Sequence, residues 1–128
     1  MIVPYKNGTA VLPEGLNARW TKKGDVAEII FSAEQIQKYT RARIPIKLAL
    51  QDMGKWAELE ALAEETHPAG DAIKQMIGEE DYTKMKRYLS EWIVSGNDMF
   101  RYDNKTLLLS QALQLDMDDI FTRAEAYQ

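Results

Sequence analysis

The stretch from Ile44 to Tyr127 alternates short apolar-periodic segments with helix-breaking residues. Met85, Leu89 and Trp92 recur at spacings of four and three residues, which places all three on one face of a helix. Similar stripes occur before and after this segment, each separated from the next by glycine, proline or a cluster of small polar residues. The pattern predicts a bundle of five or six short helices whose apolar faces pack together.

The first 31 residues have a different pattern. Lys6-Asn7-Gly8 lies between two short apolar runs, and Lys22-Lys23-Gly24-Asp25 lies between two others. Both are turn sequences, because glycine, asparagine and aspartate tolerate the backbone conformations that tight hairpin turns require. The pattern predicts two β-hairpins. Four such short strands form a sheet that is only marginally stable alone, so we expect it to lie against helices or a partner.

The change from β to α character falls at Ser32. Ser32 and Gln35 match a capping box, in which each side chain accepts a hydrogen bond from the other residue's backbone N–H, and a helix from Ala33 to Arg41 is predicted to follow. We therefore predict two regions: an N-terminal β region or arm over residues 1–31, and a helical domain over residues 32–128. The predicted fold class is α+β, mainly α.

Proline and aspartate mark the starts of several helices. Pro45 fits the first turn of a helix, where its missing N–H leaves no hydrogen bond unmade. Asp71, Asp103 and Asp116 each precede or begin an apolar-periodic segment, and aspartate is a preferred N-cap. These three residues are predicted to cap helices.

Composition excludes several classes of protein. The 128 residues contain no cysteine, so disulfides, thiolate metal ligands and thiol redox chemistry are excluded. No apolar run approaches the roughly 20 residues that a membrane helix needs. Residues 1–4 also lack the basic start of a signal peptide, so we expect an unexported protein without a membrane partner.

The charge distribution favours a protein partner over nucleic acid. The chain has 16 basic and 20 acidic side chains, for a net charge of −4. The local basic candidate is Lys38, Arg41, Arg43 and Lys47, around Tyr39, and these do not share one helix stripe. Binding to the phosphate backbone usually needs a concentrated basic surface. We therefore expect no nucleic-acid partner.

Residues that could carry chemistry have simpler structural explanations. His67, the single histidine, precedes a proline, and no strand–serine–helix elbow exists to present a nucleophile. Asp116, Asp118 and Asp119 could bind a divalent cation, and a metal-dependent enzyme is one interpretation. They lack the glycine and distal glutamate of a calcium loop, and a helix cap with acidic residues in its first turn explains the same residues. The isolated glycines do not form a phosphate-binding loop. No catalytic residue, metal site or cofactor is predicted.

The β region carries the best candidates for a contact surface. Aromatic and large aliphatic side chains dominate the energetics of protein interfaces, and an exposed strand can also pair with a strand of a partner. The predicted interface residues are Tyr5, Trp20, Ile29 and Phe31.

Residues 43–127 resemble a family of small helical proteins of tailed bacteriophages and prophages, encoded among the tail and tail-fibre genes. Four features carry the resemblance. They are Ile44-Pro45 at the start, Leu50 four residues before Gly54 and an acidic helix, the helix of Trp92, and a leucine ladder ending in Leu115, Asp119-Ile120-Phe121 and Ala124. The segment Gly78 to Arg87 is longer than in that family, and residues 1–43 have no counterpart in it.

The resemblance implies a non-enzymatic virion or tail-assembly protein located in the virion. Its partners would be other phage structural proteins of the tail or tail fibre, or further copies of the chain in a homo-oligomer. The alternative is a small phage-encoded inhibitor or regulator that binds a host protein in the host cytoplasm. The added β region looks like an adaptation for docking onto such a partner.

Overall fold

The computed structural model describes residues 1–128, which divide into two compact units, Met1–Lys38 and Tyr39–Gln128. The fold is α+β and mainly α, as predicted. The strands are β1 (Ile2–Lys6), β2 (Thr9–Ala10), β3 (Arg19–Lys23), β4 (Val26–Ile30), β5 (Thr40–Arg41) and β6 (Met99–Phe100). The helices are α1 (Ala33–Lys38), α2 (Arg43–Asp52), α3 (Trp56–Ala63), α4 (Gly70–Ile77), α5 (Glu79–Ser95), α6 (Asn104–Leu113) and α7 (Met117–Ala124), followed by a 3-10 turn, Glu125–Tyr127.

The N-terminal unit contains a four-stranded antiparallel sheet in the order β2-β1-β4-β3. Both predicted hairpins are present. Asn7 and Gly8 have φ values of 54° and 80°, as a two-residue type I′ turn requires, and Gly24 has φ 63° at the first position of the second turn. The two hairpins join through β1 and β4, where Val3 lies opposite Ala27.

Helix α1 belongs to the same unit as the sheet. The predicted capping box is confirmed: the Gln35 amide donates to Ser32 Oγ at 3.1 Å, and the Ser32 amide donates to Gln35 Oε1 at 3.0 Å. The boundary between the two units lies after Lys38, whereas the predicted boundary lies after residue 31. The predicted helical end at Arg41 was wrong, because Thr40 and Arg41 instead pair with β6.

The second unit is built around one hydrophobic core to which α2–α7 all contribute. Trp56 and Trp92 meet edge to face with their ring centroids 5.9 Å apart, and the Trp92 indole N–H donates to the Asn97 carbonyl at 2.8 Å. Aromatic pairs prefer this geometry, and a buried indole needs such an acceptor. The fully enclosed large side chains of this core include Ile46, Leu50, Leu59, Leu62, Met85, Leu89, Leu109 and Ile120.

Most predicted helix ends lie where expected. Asp103 accepts from the Lys105 amide at the start of α6, and Asp116 accepts from the amides of Asp118 and Asp119 at the start of α7. The prediction for Asp71 was wrong. Ala69 occupies the N-cap of α4 without a side-chain hydrogen bond, and Asp71 lies inside the first turn, where a carboxylate interacts only with the helix dipole.

The paired strands β5 and β6 hold a buried arginine beside the C-terminal helix. The Arg41 guanidinium donates from Nε to the Phe121 carbonyl at 3.2 Å and from Nη2 to Glu125 Oε1 at 2.8 Å. A third hydrogen bond goes to the Thr40 carbonyl at 3.0 Å. This cation, predicted as part of a basic surface segment, therefore points into the helical unit. None of the helices is long and apolar enough to cross a membrane.

Candidate protein-binding site

Strand alternation gives the N-terminal sheet two different faces. Residues opposite each other in antiparallel strands share a face, and the next residue along each strand points to the other side. One side, the packed face, carries Val3, Tyr5, Trp20, Lys22, Ala27 and Ile29. The other side, the open face, carries Ile2, Pro4, Arg19, Thr21, Lys23, Val26, Glu28 and Ile30.

Three of the predicted interface residues lie on the packed face. Tyr5 and Trp20 meet edge to face with ring centroids 5.7 Å apart, and each ring is only partly buried. Ile29 lies opposite Trp20 in the β3–β4 pair and is 4% exposed, so its side chain contributes to the packing of the sheet itself. Phe31 follows the last residue of β4 and is partly buried. The fold thus brings Tyr5 and Trp20 into one aromatic pair.

The open face carries apolar side chains that the sequence interpretation missed. Ile2 and Ile30 are 51% and 50% exposed, on β1 and β4 respectively. Glu28 lies opposite Ile2, and its ion pair with Lys23 crosses the hairpin. Glu28 interrupts an apolar strand in the sequence, which indicates that one face of β4 is open. The sequence does not show which strands pair with β4 and complete that face.

The outer edge of β3 is the longer free edge of the sheet. Strand β3 pairs only with β4, and its five residues compare with two in β2 at the opposite edge. Lys23 and Val26 close a two-residue turn, so Lys23, Thr21 and Arg19 make the hydrogen-bonded pairs with β4. The amide and carbonyl groups of Trp20 and Lys22 point outward. A free strand edge of this kind can pair with another strand.

The edge of β3 is rich in positive charge. Arg19, Lys22 and Lys23 lie within its five residues, and it contains no acidic residue. The hydrogen bond from Lys23 and its charge lower the pKa of Glu28, so this carboxylate stays ionised and neutralises Lys23. Lys22 Nζ lies 4.9 Å from the centre of the Tyr5 ring instead. Arg19 and Lys22 therefore keep their charge available along the edge.

His67 lies in a small polar cluster of the helical unit. Its Nε2 is 3.4 Å from Glu58 Oε1, and its Nδ1 accepts from the Ala69 amide at 2.9 Å. A hydrogen bond from Lys55, followed by one from His67, lowers the pKa of Glu58. His67 lines a cavity of about 350 Å³ that has no serine, threonine or cysteine in its lining, and another of about 390 Å³ that includes Thr83. Both ring nitrogens thus serve the loop between α3 and α4.

The acidic residues at α7 are occupied within the fold. Asp116 caps the helix, Asp118 accepts from Arg101 Nε at 2.8 Å, and Asp119 accepts from Arg123 Nε at 3.1 Å. No group of three or more histidine, cysteine, aspartate or glutamate side chains is arranged to hold a metal ion. The cap and the two ion pairs account for all three carboxylates.

A groove of about 680 Å³ runs between α5 and α6. Its apolar part includes Leu107, Leu108 and the ring of Tyr88, and its rim carries both basic and acidic side chains. Burial raises the pKa of Tyr88 to about 12, so the phenol stays protonated at neutral pH. Lys105 Nζ lies 5.4 Å from the centre of that ring. The mixed charge of the rim does not select one class of ligand.

Comparison of the chain with protein-family models, with curated proteins and with solved structures finds no match.

Proposed function

We propose that this chain is a non-enzymatic phage protein that acts in the virion or in tail assembly through protein–protein contacts made by its N-terminal sheet. The resemblance of residues 43–127 to small phage tail-region proteins supports the phage setting. The observation that carries the mode of action is the free outer edge of β3, in a sheet whose open face also carries exposed apolar side chains on β1 and β4.

In this proposal, the helical unit serves as the scaffold that carries the sheet. Its polar clusters have internal partners, as at Arg41, His67 and Asp116, and most of its apolar stripes pack in one core. Ile44, Met76 and Val94 remain exposed. The sheet differs, because the outer edge of β3 carries unpaired backbone groups. These groups gain hydrogen bonds when a partner strand docks.

Site-specific photocrosslinking in infected cells tests this function. A photoreactive amino acid placed at Thr21, on β3, should cross-link the chain to a tail or tail-fibre protein, whereas the same group at the exposed Thr83 of α5 should not. Mass spectrometry identifies the cross-linked protein and measures the chain in purified particles and in assembly intermediates. If the chain is absent from both, and Thr21 cross-links to no phage structural protein, the proposal is wrong.

The second candidate is a phage-encoded inhibitor or regulator of a host protein. The distribution of charge favours it: residues 39–128 contain 11 basic and 16 acidic side chains, so the helical unit carries the acidic excess of the chain. An acidic surface favours encounter with a basic partner. Recovery of one host protein at equal molar amount with the tagged chain, without tail proteins, would support this alternative over assembly.

A further inference from the structure

We infer that the outer edge of β3 is a strand-addition site for an acidic, extended segment of a protein partner. This inference rests on the proposed function and adds the chemistry and geometry of what the sheet binds. The edge presents the amide and carbonyl groups of Trp20 and Lys22 to a fifth strand. Main-chain hydrogen bonds of this kind supply affinity, while the side chains that flank them supply specificity.

Charge complementarity selects an acidic segment. A strand paired with β3 on the open-face side would place its side chains beside Arg19, Thr21 and Lys23, and on the packed-face side beside Trp20 and Lys22. Oppositely charged cross-strand neighbours stabilise a pair of strands, and like charges destabilise it. Glutamate or aspartate on the open-face side therefore faces Arg19, the cation of that side that Glu28 does not neutralise, while Lys22 adds its charge on the packed-face side. An apolar residue beside Trp20 extends its aromatic contact with Tyr5.

The same charges disfavour a second copy of this chain as the occupant. Antiparallel pairing of β3 with its own copy, centred on Thr21, would set Arg19 of each chain opposite Lys23 of the other. Glu28 offsets Lys23, but each copy still brings Arg19 and Lys22 on a strand without an acidic residue. Like charges across strands destabilise a pair, and lysine at an edge commonly prevents self-association. The edge of β3 therefore disfavours its own copy and favours an acidic strand.

Peptide binding to the full chain provides the first test. The probe is a capped peptide of alternating glutamate and valine, long enough to pair with all five residues of β3, and the control replaces each glutamate with lysine. Fluorescence anisotropy should show saturable binding of the acidic probe and at least about tenfold weaker binding of the basic one. Added salt should weaken binding further, since the interacting charges are exposed. Equal binding of both peptides overturns the inference.

Amide exchange distinguishes strand addition from loose electrostatic adsorption. Binding should slow hydrogen exchange at the outward-pointing amides of Trp20 and Lys22, while the Thr21 amide, already bonded within the sheet, changes little. A probe with proline at alternate positions keeps most of the charge but cannot donate to the edge. It should bind at least about fivefold more weakly. Uniform or absent protection along β3 would contradict strand addition.

Variants of the chain complete the test. Arg19→Glu combined with Lys22→Glu should weaken binding of the acidic probe about tenfold. Lys6→Glu makes the same kind of charge reversal at the end of β1 and should leave binding within about twofold. Lys22→Thr removes one charge. Lys22→Pro removes the same charge and also an outward N–H that the sheet does not use. The proline variant should therefore bind the acidic probe more weakly than the threonine variant. Circular dichroism confirms that each variant is folded.

The outcome separates this inference from the proposed function. If the Thr21 cross-link finds a tail protein but the acidic probe fails to protect Trp20 and Lys22, the function stands and the strand-addition site is wrong. If the probe binds as expected and no phage structural protein is recovered, the site stands and the assembly role is wrong.

Discussion

At the residue scale, Arg41 shows how a charged side chain becomes part of a protein interior. Its guanidinium fork reaches the Phe121 carbonyl, the Thr40 carbonyl and the Glu125 carboxylate, and the group also lies 5.5 Å from the centre of the Phe121 ring. Arginine suits this role because its planar group offers several donors at fixed angles. The side chain links β5 to α7 and the 3-10 turn.

Arg41→Ala should therefore lower the free energy of unfolding by about 2–4 kcal/mol, because it leaves buried acceptors without a donor. Chemical denaturation monitored by circular dichroism measures the change. Arg123→Ala is the matched control: Arg123 pairs with Asp119 at the exposed surface, where such a pair contributes at most about 1 kcal/mol. A loss for Arg41→Ala no larger than that for Arg123→Ala would show that the buried bonds add nothing.

Tyr88 should make stability fall in strongly alkaline solution. Burial raises its pKa from 10.0 to about 12, so the unfolded chain loses the proton before the folded protein does. The contribution is fully present below pH 10 and is lost as the pH rises toward 12. Denaturation at several pH values should give a smaller loss of stability between pH 10 and 12 for Tyr88→Phe than for the natural chain. An identical slope would show that Tyr88 titrates normally.

At the element scale, an aspartate near a helix start acts as a cap only if it occupies the N-cap position, where the backbone enters the helix. Asp116 has extended φ and ψ and accepts from two amides of α7, whereas Asp71 is the second residue of α4, two positions after the N-cap Ala69, and caps nothing. The same residue type therefore has different roles at two helix starts. A shift of two positions decides whether the carboxylate can reach the free amides.

Asp116→Ala should destabilise the protein by about 1 kcal/mol, the usual effect of losing an N-cap. Asp71→Ala should cost less than about 0.5 kcal/mol, because only a dipole interaction is removed. Thermal unfolding of the two variants under one set of conditions makes the comparison. Equal losses at both positions would mean that Asp71 is the cap that its sequence context suggested.

At the scale of the whole molecule, stability depends on apolar burial, most of which lies in the helical unit. Every residue of the contiguous core cluster belongs to residues 39–128, while the N-terminal unit buries a smaller set that includes Val3, Leu16 and Ile29. The N-terminal unit therefore commits fewer side chains to internal packing. Exposed apolar side chains occur in both units, so the proposed contact surface rests on the free edge of β3.

Two substitutions in α5 measure this dependence on burial. Leu89 is fully buried and Val94 is 87% exposed. Leu89→Ala should reduce the free energy of unfolding by about 2–5 kcal/mol, since it removes apolar contacts and leaves a cavity. Val94→Ala should change it by less than about 0.5 kcal/mol. Denaturant unfolding followed by helical circular dichroism gives both values, and similar losses would contradict the packing of α5.

The sequence by itself determined the features that depend on neighbours within a few residues. The Asn7-Gly8 turn, the Ser32–Gln35 capping box and the cap at Asp116 follow from backbone preferences and local hydrogen bonds. The helical stripe through Met85, Leu89 and Trp92 follows from periodicity, and with these features the α+β, mainly α class was predictable.

Only the tertiary structure decided which of these surfaces stay free. Strand order placed β3 at an edge and strand pairing placed Ile2 on the open face, and the pairing of Thr40 and Arg41 with β6 ended α1 early. These outcomes depend on residues far apart in the chain, so no local pattern contains them. The physical reason is that burial and pairing are properties of the folded neighbourhood, whereas turns, caps and stripes are properties of a short segment.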